Sequence, residues 1–424
     1  MPATTMVNSD VLAVQLETVT QAVSEYYEHE DALVSRFAKM VSHDQSSRDM
    51  RIPIPMYPGG KFRQISFEGD FGRGSGEHFE YAAVAPIETA IALELSDKVI
   101  YTTNSTAKAV TDVVARQVAM GLTEYKLYKD KLLQTAGTGI LGTISSIGGT
   151  GNLTWTMASP FYVQLLRYGQ EVSVYTSSSQ TALRGNGVAT IVGIDTVNNT
   201  ITVDANPSGV AANDVVCVGG LTATPPTSIY GLAYHHSSAA TGYWLGLNRA
   251  TFPGLRTPTV TASGTLTTNH MNRMFAGVTM GLGQDVMDTG RWFIYLHTTQ
   301  RMQWAELGQL ISEITLNQGN APNGNVDILM DRKRAQVIGG IEVVESIHAD
   351  RTRIDLIDAD NWIRGTYKEI GIHDMAGQPK IALRGTSGGY GGGQLWYITA
   401  AEQFAVKNPR RGAYINTLTE VSVV

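Results

Sequence analysis

The stretch RIPIPMY, from Arg51 to Tyr57, constrains the fold of this 424-residue chain more than any other. Alternation places Ile52, Ile54 and Met56 on one face of a strand, while the intervening Pro53 and Pro55 lack the N–H groups that a sheet ladder needs. Such a strand cannot lie in the middle of a sheet. Turn chemistry follows in PGGK (Pro58 to Lys61) and GDFGRGSGE (Gly69 to Glu77), and the chain returns through HFEYAAVAPIETAIALELSDKVIYT. The pattern predicts a long projecting hairpin over residues 51–103.

On either side of it the apolar period is helical. From Ser9 to Met40, Leu12, Leu16, Val19, Val23, Tyr26, Leu33 and Phe37 recur at three- and four-residue steps. The polar run SHDQSSRD comes after them and before any sheet. That order favours an N-terminal arm (1–50) reaching a neighbour over an ordinary core helix. Further on, Val110, Val114, Val118, Leu122, Tyr125 and Leu132 form one stripe between candidate caps at Thr103 to Thr106 and a stop at Gly137. A helix of that length would run roughly 45 Å.

Between Gly169 and Gly220 the chain changes to short alternating strands, EVSVYT, GVATIVGID, NTITVD and DVVCVGG, parted by Asn, Gly and Pro turns. These predict a small inserted β-barrel or sandwich over 169–222. An amphipathic helix is expected from Thr267 to Met280, then a buried strand RWFIYLH, a helix TTQRMQWAELGQLISEI and strands at VDILMD, AQVIGGIEVVES and TRIDLID. The C-terminal strands from Gln394 onward are expected to return beside the long helix.

Composition narrows the function. Only 17% of residues are charged, below the ~25% usual for soluble domains, which leaves neutral surface for neighbours to cover. The net charge is −6 and no Lys/Arg run forms a nucleic-acid footprint. A single cysteine, Cys217, rules out an intrachain disulfide framework. No signal-peptide pattern or long apolar span is present, so a product made in the cytoplasm is expected.

The motifs that could carry chemistry fail in context. GTGILG (Gly137 to Gly142) has the letters of a dinucleotide fingerprint but follows a helix where a strand is required. GTSGG (Gly385 to Gly389) lacks the strand-to-helix elbow of a nucleophile, and IDLIDAD (Ile354 to Asp360) lacks the glycine and distal glutamate of a calcium loop. His235 and His236 are adjacent, which points their side chains apart instead of at one metal. No catalytic residue, cofactor or metal site is expected.

What stands out instead is Ile229 to Leu266, rich in Tyr, Trp, Arg, Gly and Pro but without a paired base and nucleophile. Its run GLAYHHSS…TGYWLGLNRATFPGLRTPTV…GTLT, with the helix after it, resembles the central domain of tailed-bacteriophage major capsid proteins of the Hong Kong 97 type. The order of arm, hairpin, long helix, β insertion, this run and a β-rich end extends the resemblance over most of the chain. It implies an α+β Hong Kong 97-like capsid fold. Its parts would be the arm, the hairpin (E-loop), a peripheral domain with a spine helix (104–168 and 371–424), an axial domain (223–370) and the inserted β subdomain.

The resemblance further implies a shell protein that self-assembles into hexamers and pentamers, forming an icosahedral head around double-stranded DNA held without sequence-specific binding. It would be assembled in the host cytoplasm, located in the virion, free of membrane, and partnered by portal, scaffolding and decoration proteins. Inter-subunit contacts are expected at Leu12, Leu16 and Val19 of the arm and at Tyr57, Lys61, Phe62 and Arg63 of the hairpin. Tyr243, Trp244, Arg249 and Phe252 are expected at the capsomer axis, and Arg410 and Arg411 opposite carboxylates of a neighbour. Some family members crosslink a loop lysine, but no partner asparagine or acid matches Lys61 here, so a non-covalent shell is expected. Two alternatives stay open: an encapsulin-like compartment and, more distant, a cytoplasmic α/β enzyme.

Overall fold

The computed structural model describes residues 32–41, 50–57, 59–65, 69–70, 72–98, 113–283, 285–305, 337–338, 341–373, 381–384 and 390–420. Its first part contains β1 (Ala38–Val41), β2 (Met50–Tyr57), β3 (His78–Val84), β4 (Ile87–Ser96) and the long helix α1 (Val113–Leu132). Next come β5 (Ile140–Gly148), β6 (Thr154–Met157), β7 (Glu171–Tyr175), β8 (Leu183–Asp195), β9 (Thr200–Val203) and β10 (Val215–Val218). The central run adds β11 (Tyr243–Trp244), β12 (Leu247–Asn248), β13 (Thr259–Gly264) and α2 (Thr268–Leu282). The last part holds β14 (Trp292–His297), β15 (Val337–Ile338), β16 (Ile341–Ser346), β17 (Ile354–Asp358), β18 (Trp362–Ile372), β19 (Ile381–Arg384), β20 (Tyr390–Val406) and β21 (Gly412–Leu418).

The prolines of β2 have the effect expected of them. β2 pairs with β3 alone, as a two-stranded antiparallel ribbon outside both larger sheets. After β3 the chain turns into β4, which leaves the ribbon and joins β20 in the first sheet, ordered β1-β18-β20-β19. Helix α1 lies on that sheet, burying Tyr125 against Leu93, Leu95, Trp396 and Ile398. Gly121 permits the close approach, since a Cβ there would fall 2.8 Å from Leu93 Cδ1 and 3.0 Å from Ile398 Cδ1.

α1 ends at Leu132, before the expected stop at Gly137. Tertiary contact decides the boundary, because the Leu133 carbonyl accepts from the Leu232 amide at 2.7 Å instead of continuing the helix. The twenty described residues span about 30 Å; the expected start at 103–106 lies outside the described residues. In the arm, Leu33 and Phe37 are core residues, with Phe37 stacked on Trp362 at 4.4 Å. Residues 38–40, expected within the arm helix, belong to β1, which runs parallel to β18.

The β-rich insertion is a closed six-strand barrel, ordered β10-β5-β6-β9-β8-β7. It begins at Ile140, earlier than the expected boundary at 169. β5 and β6, assigned to the peripheral part in the sequence, close the barrel by pairing with β10 and β9. Trp155, Val172, Val174, Ile191 and Ile201 fill it. A second sheet, ordered β13-β21-β17-β14-β16-β15, carries α2 on one face through Met271, Met274 and Val278. Thr267 caps α2 by accepting from the His270 amide. β21 sits in this second sheet, so the C-terminal strands do not all return beside α1: β20 does, and β21 crosses to pair with β13 and β17.

Candidate assembly surface

The ribbon of β2 and β3 has two unlike faces. On one, Met50, Ile52 and Ile54 are buried with Ala82 and Val84 in the main core. On the other, register places Pro55 opposite Phe79 and Pro53 opposite Tyr81, and all four are exposed. Tyr57, 54% exposed, stacks on His78 at the far end. Pairs of exposed aromatic and proline side chains on one rigid face are costly to leave in water and favourable to cover. Tyr57 is among the contacts that the resemblance implies; Phe79 and Tyr81 are not, although HFEY alternates as RIPIPMY does.

Beyond the ribbon the loop is pinched where Gly59, at φ +73°, accepts from both the amide (3.0 Å) and the hydroxyl (2.8 Å) of Ser75. A Cβ on Gly59 would collide with the Gly76 backbone at 2.5 Å, so only glycine lets the two limbs cross there. Past the pinch, Lys61, Phe62 and Arg63 are all exposed, and Phe62 is wholly so. The structure thus groups Tyr57, Lys61, Phe62 and Arg63 on one projection. Leu12, Leu16 and Val19 lie outside the described residues.

The central run behaves differently. Tyr243 is 68% exposed, but its neighbour Trp244 is 0% exposed and its indole donates to His235 Nδ1 at 3.1 Å. That bond fixes the tautomer, so Nε2–H of His235 donates to the Phe404 carbonyl at 3.2 Å. Burial pushes the His235 imidazole down to about 3. Arg249 is 6% exposed and donates to the Tyr234 carbonyl at 2.9 Å, while Phe252 is half-buried against the main core. Trp244 and Arg249, expected at the capsomer axis, are therefore internal braces. Sequence alone could not separate an aromatic that faces out from one that faces in.

His236 points away from His235 and donates through Nδ1 to Asp355 at 2.9 Å. Arg353 grips the same carboxylate with two bonds of 2.7 Å, donates to the His236 carbonyl at 3.0 Å, and lies 4.2 Å from the centre of the Tyr414 ring. Burial alone would lift the Asp355 carboxyl, but Arg353 and His236 outweigh it and hold the group down to about 2. The network ties the central run to β17 and β21. Among the described residues no group of His, Cys, Asp or Glu could hold a metal.

Arg411 pairs with buried Asp358 of its own chain at 2.8 Å. Arg410 is half-buried, beside Arg51 and Lys407 in a groove of about 690 Å³ at the ribbon base. GTGILG is a turn entering β5, with Gly137 and Gly139 at positive φ, and opens no helix; GTSGG lies outside the described residues. Cys217 is buried, its thiol pushed up to about 12 by burial, and is inert. No helix among the described residues is long and apolar enough to cross a membrane.

No family model matches the chain, and no curated protein matches it. Among solved structures, the capsid of cyanophage A-1(L) superposes with a TM-score of 0.57 and 13% identity, over 95% of this chain and 97% of that one. A structure of Mycobacterium phage Bobi matches at 0.47 and 9% identity, over 97% and 98%. An encapsulin complex from Synechococcus elongatus matches at 0.47 and 9%, over 97% and 96%. The fold assignment rests on the first of these. The chain has an α+β fold similar to that of the cyanophage A-1(L) capsid structure.

Proposed function

We propose that the chain is the major capsid protein of a tailed phage, self-assembling into hexamers and pentamers that close into an icosahedral head around double-stranded DNA. The observation that carries the proposal is the projecting hairpin: one face locked into the core, the other bearing Pro53, Pro55, Tyr57, Phe79 and Tyr81 in water. A single copy has no means of covering that face. Further copies do, and burial repeated at every contact of a closed shell multiplies a modest term into a stable assembly. The axial contact is carried by Tyr243, with Trp244 and Arg249 supporting it from inside. Portal, scaffolding and decoration proteins are the further partners of this reading.

The test is particle formation by the full chain and by a variant in which 60–74 is replaced by a short Gly-Ser linker. That replacement removes the tip beyond the Gly59–Ser75 contact and spares the buried residues of β2. Megadalton polyhedra from the parent chain and none from the variant are expected. Closed shells from both would remove the hairpin from the mechanism. DNA in the purified particles supports a phage head, and co-purifying enzyme would point to an encapsulin-like compartment.

A further inference from the structure

The groove at the ribbon base combines apolar walls with one sign of charge. Pro53, Pro55 and Met56 of β2 share its lining with Leu255 and Leu282, and Arg51, Lys407, Arg410 and Arg411 line it with a single carboxylate, Asp360. That carboxylate is paired with Arg291 at 2.6 Å, and Arg411 is paired with Asp358. Lys407 donates to the backbone carbonyl of Asp360, a bond that leaves its charge uncancelled. Lys407 and Arg410 therefore set the sign of the groove. Such a surface suits an acidic segment that carries apolar or aromatic side chains between its carboxylates.

The chain contains one. Residues 1–31, which lie outside the described residues, include Asp10, Glu17, Glu25, Glu28, Glu30 and Asp31 but no lysine or arginine. The densest part, EYYEHED at Glu25 to Asp31, ends where the described chain begins, at Ala32. A few residues further on, Phe37 stacks on Trp362, and the residues on either side of Trp362, Asn361 and Ile363, line the groove. Seven extended residues reach about 23 Å, so the acidic stretch starts close to the surface that complements it.

We infer that the ribbon-base groove receives the Glu25–Asp31 segment of its own chain, carboxylates against Lys407 and Arg410, and Tyr26 and Tyr27 against the prolines. The tether makes the docking intramolecular, so individually weak contacts suffice. The inference rests on the shell reading above and adds a control to it. Pro53 and Pro55 belong to the outward face that further copies cover, so the docked segment masks part of that face in the unassembled chain and leaves as copies join.

Hydrogen exchange read by mass spectrometry on the dilute, unassembled full chain tests it. Peptides covering 25–31 should exchange at least ~10-fold more slowly than in a Lys407→Glu/Arg410→Glu variant of matched melting temperature, and adding Glu25→Lys/Glu28→Lys/Glu30→Lys should restore the protection. The protection should be independent of protein concentration and should fade as salt screens the pairing. Particles should appear sooner from the Lys407→Glu/Arg410→Glu variant than from the parent. Equal exchange in parent and variant, or protection that grows with concentration, would overturn docking within one chain, and an unchanged lag would overturn the mask. A parent chain that shows the protection yet never forms particles would remove the shell reading and leave the docking in place.

Discussion

The hairpin and the central run from Ile229 to Leu266 are both rich in aromatic and turn residues, yet they put them to opposite uses. In the ribbon, strict alternation sends Ile52 and Ile54 inward and Pro53, Pro55, Phe79 and Tyr81 outward, so the exposed half is available to another chain. In the central run Trp244 and Arg249 turn inward, and both ring nitrogens of His235 are engaged, by Trp244 and Phe404. The lesson is that aromatic content marks an interface only where backbone register forces the ring outward. Elsewhere the same residues are a core with polar pins.

The largest effect that separates the two regions is on stability. Trp244→Ala should cost about 3–5 kcal/mol, because it opens a cavity and strips His235 of its donor; urea unfolding followed by far-UV circular dichroism measures it. A cost near that of a surface substitution would mean Trp244 faces a neighbour after all. Asp355→Ala should follow at about 3 kcal/mol, since it leaves Arg353 without its buried partner.

Acid probes the same core. The His235 imidazole lies at about 3 in the fold against 6.5 when free, so below 6.5 the unfolded chain takes up a proton that the native chain refuses. Stability therefore falls with falling pH, by roughly 3 kcal/mol between 6.5 and about pH 4 from this group alone. His297, lowered to about 4 by burial, acts in the same direction, and Asp355 adds its loss as pH drops from 3.8 towards about 2. Melting temperatures across that range should decline steadily, and a flat profile would contradict a neutral buried His235. At the other extreme, Phe79→Ser and Tyr81→Ser should shift the unfolding free energy by no more than ~0.5 kcal/mol, while each lowers particle yield.

How much of this was legible in the chain follows the same division. Local rules survive folding: the prolines of β2 excluded a central strand, and Thr267 marked the start of α2 within a residue. The capsid-like order of segments was readable because each has its own period. Non-local pairing was not. β5 and β6 belong to the barrel because β10 and β9 pair with them, β21 leaves β20 for the second sheet, and α1 stops where Leu232 takes the Leu133 carbonyl. None of these has a signature in the nearby residues.

The most direct measurement is particle mass by light scattering, with negative-stain microscopy, for the full chain and a Phe62→Ser/Phe79→Ser/Tyr81→Ser variant of matched melting temperature. The account predicts megadalton shells from the first and folded, unassembled chains from the second. Identical shells from both would contradict the claim that the outward face of the hairpin holds the copies together.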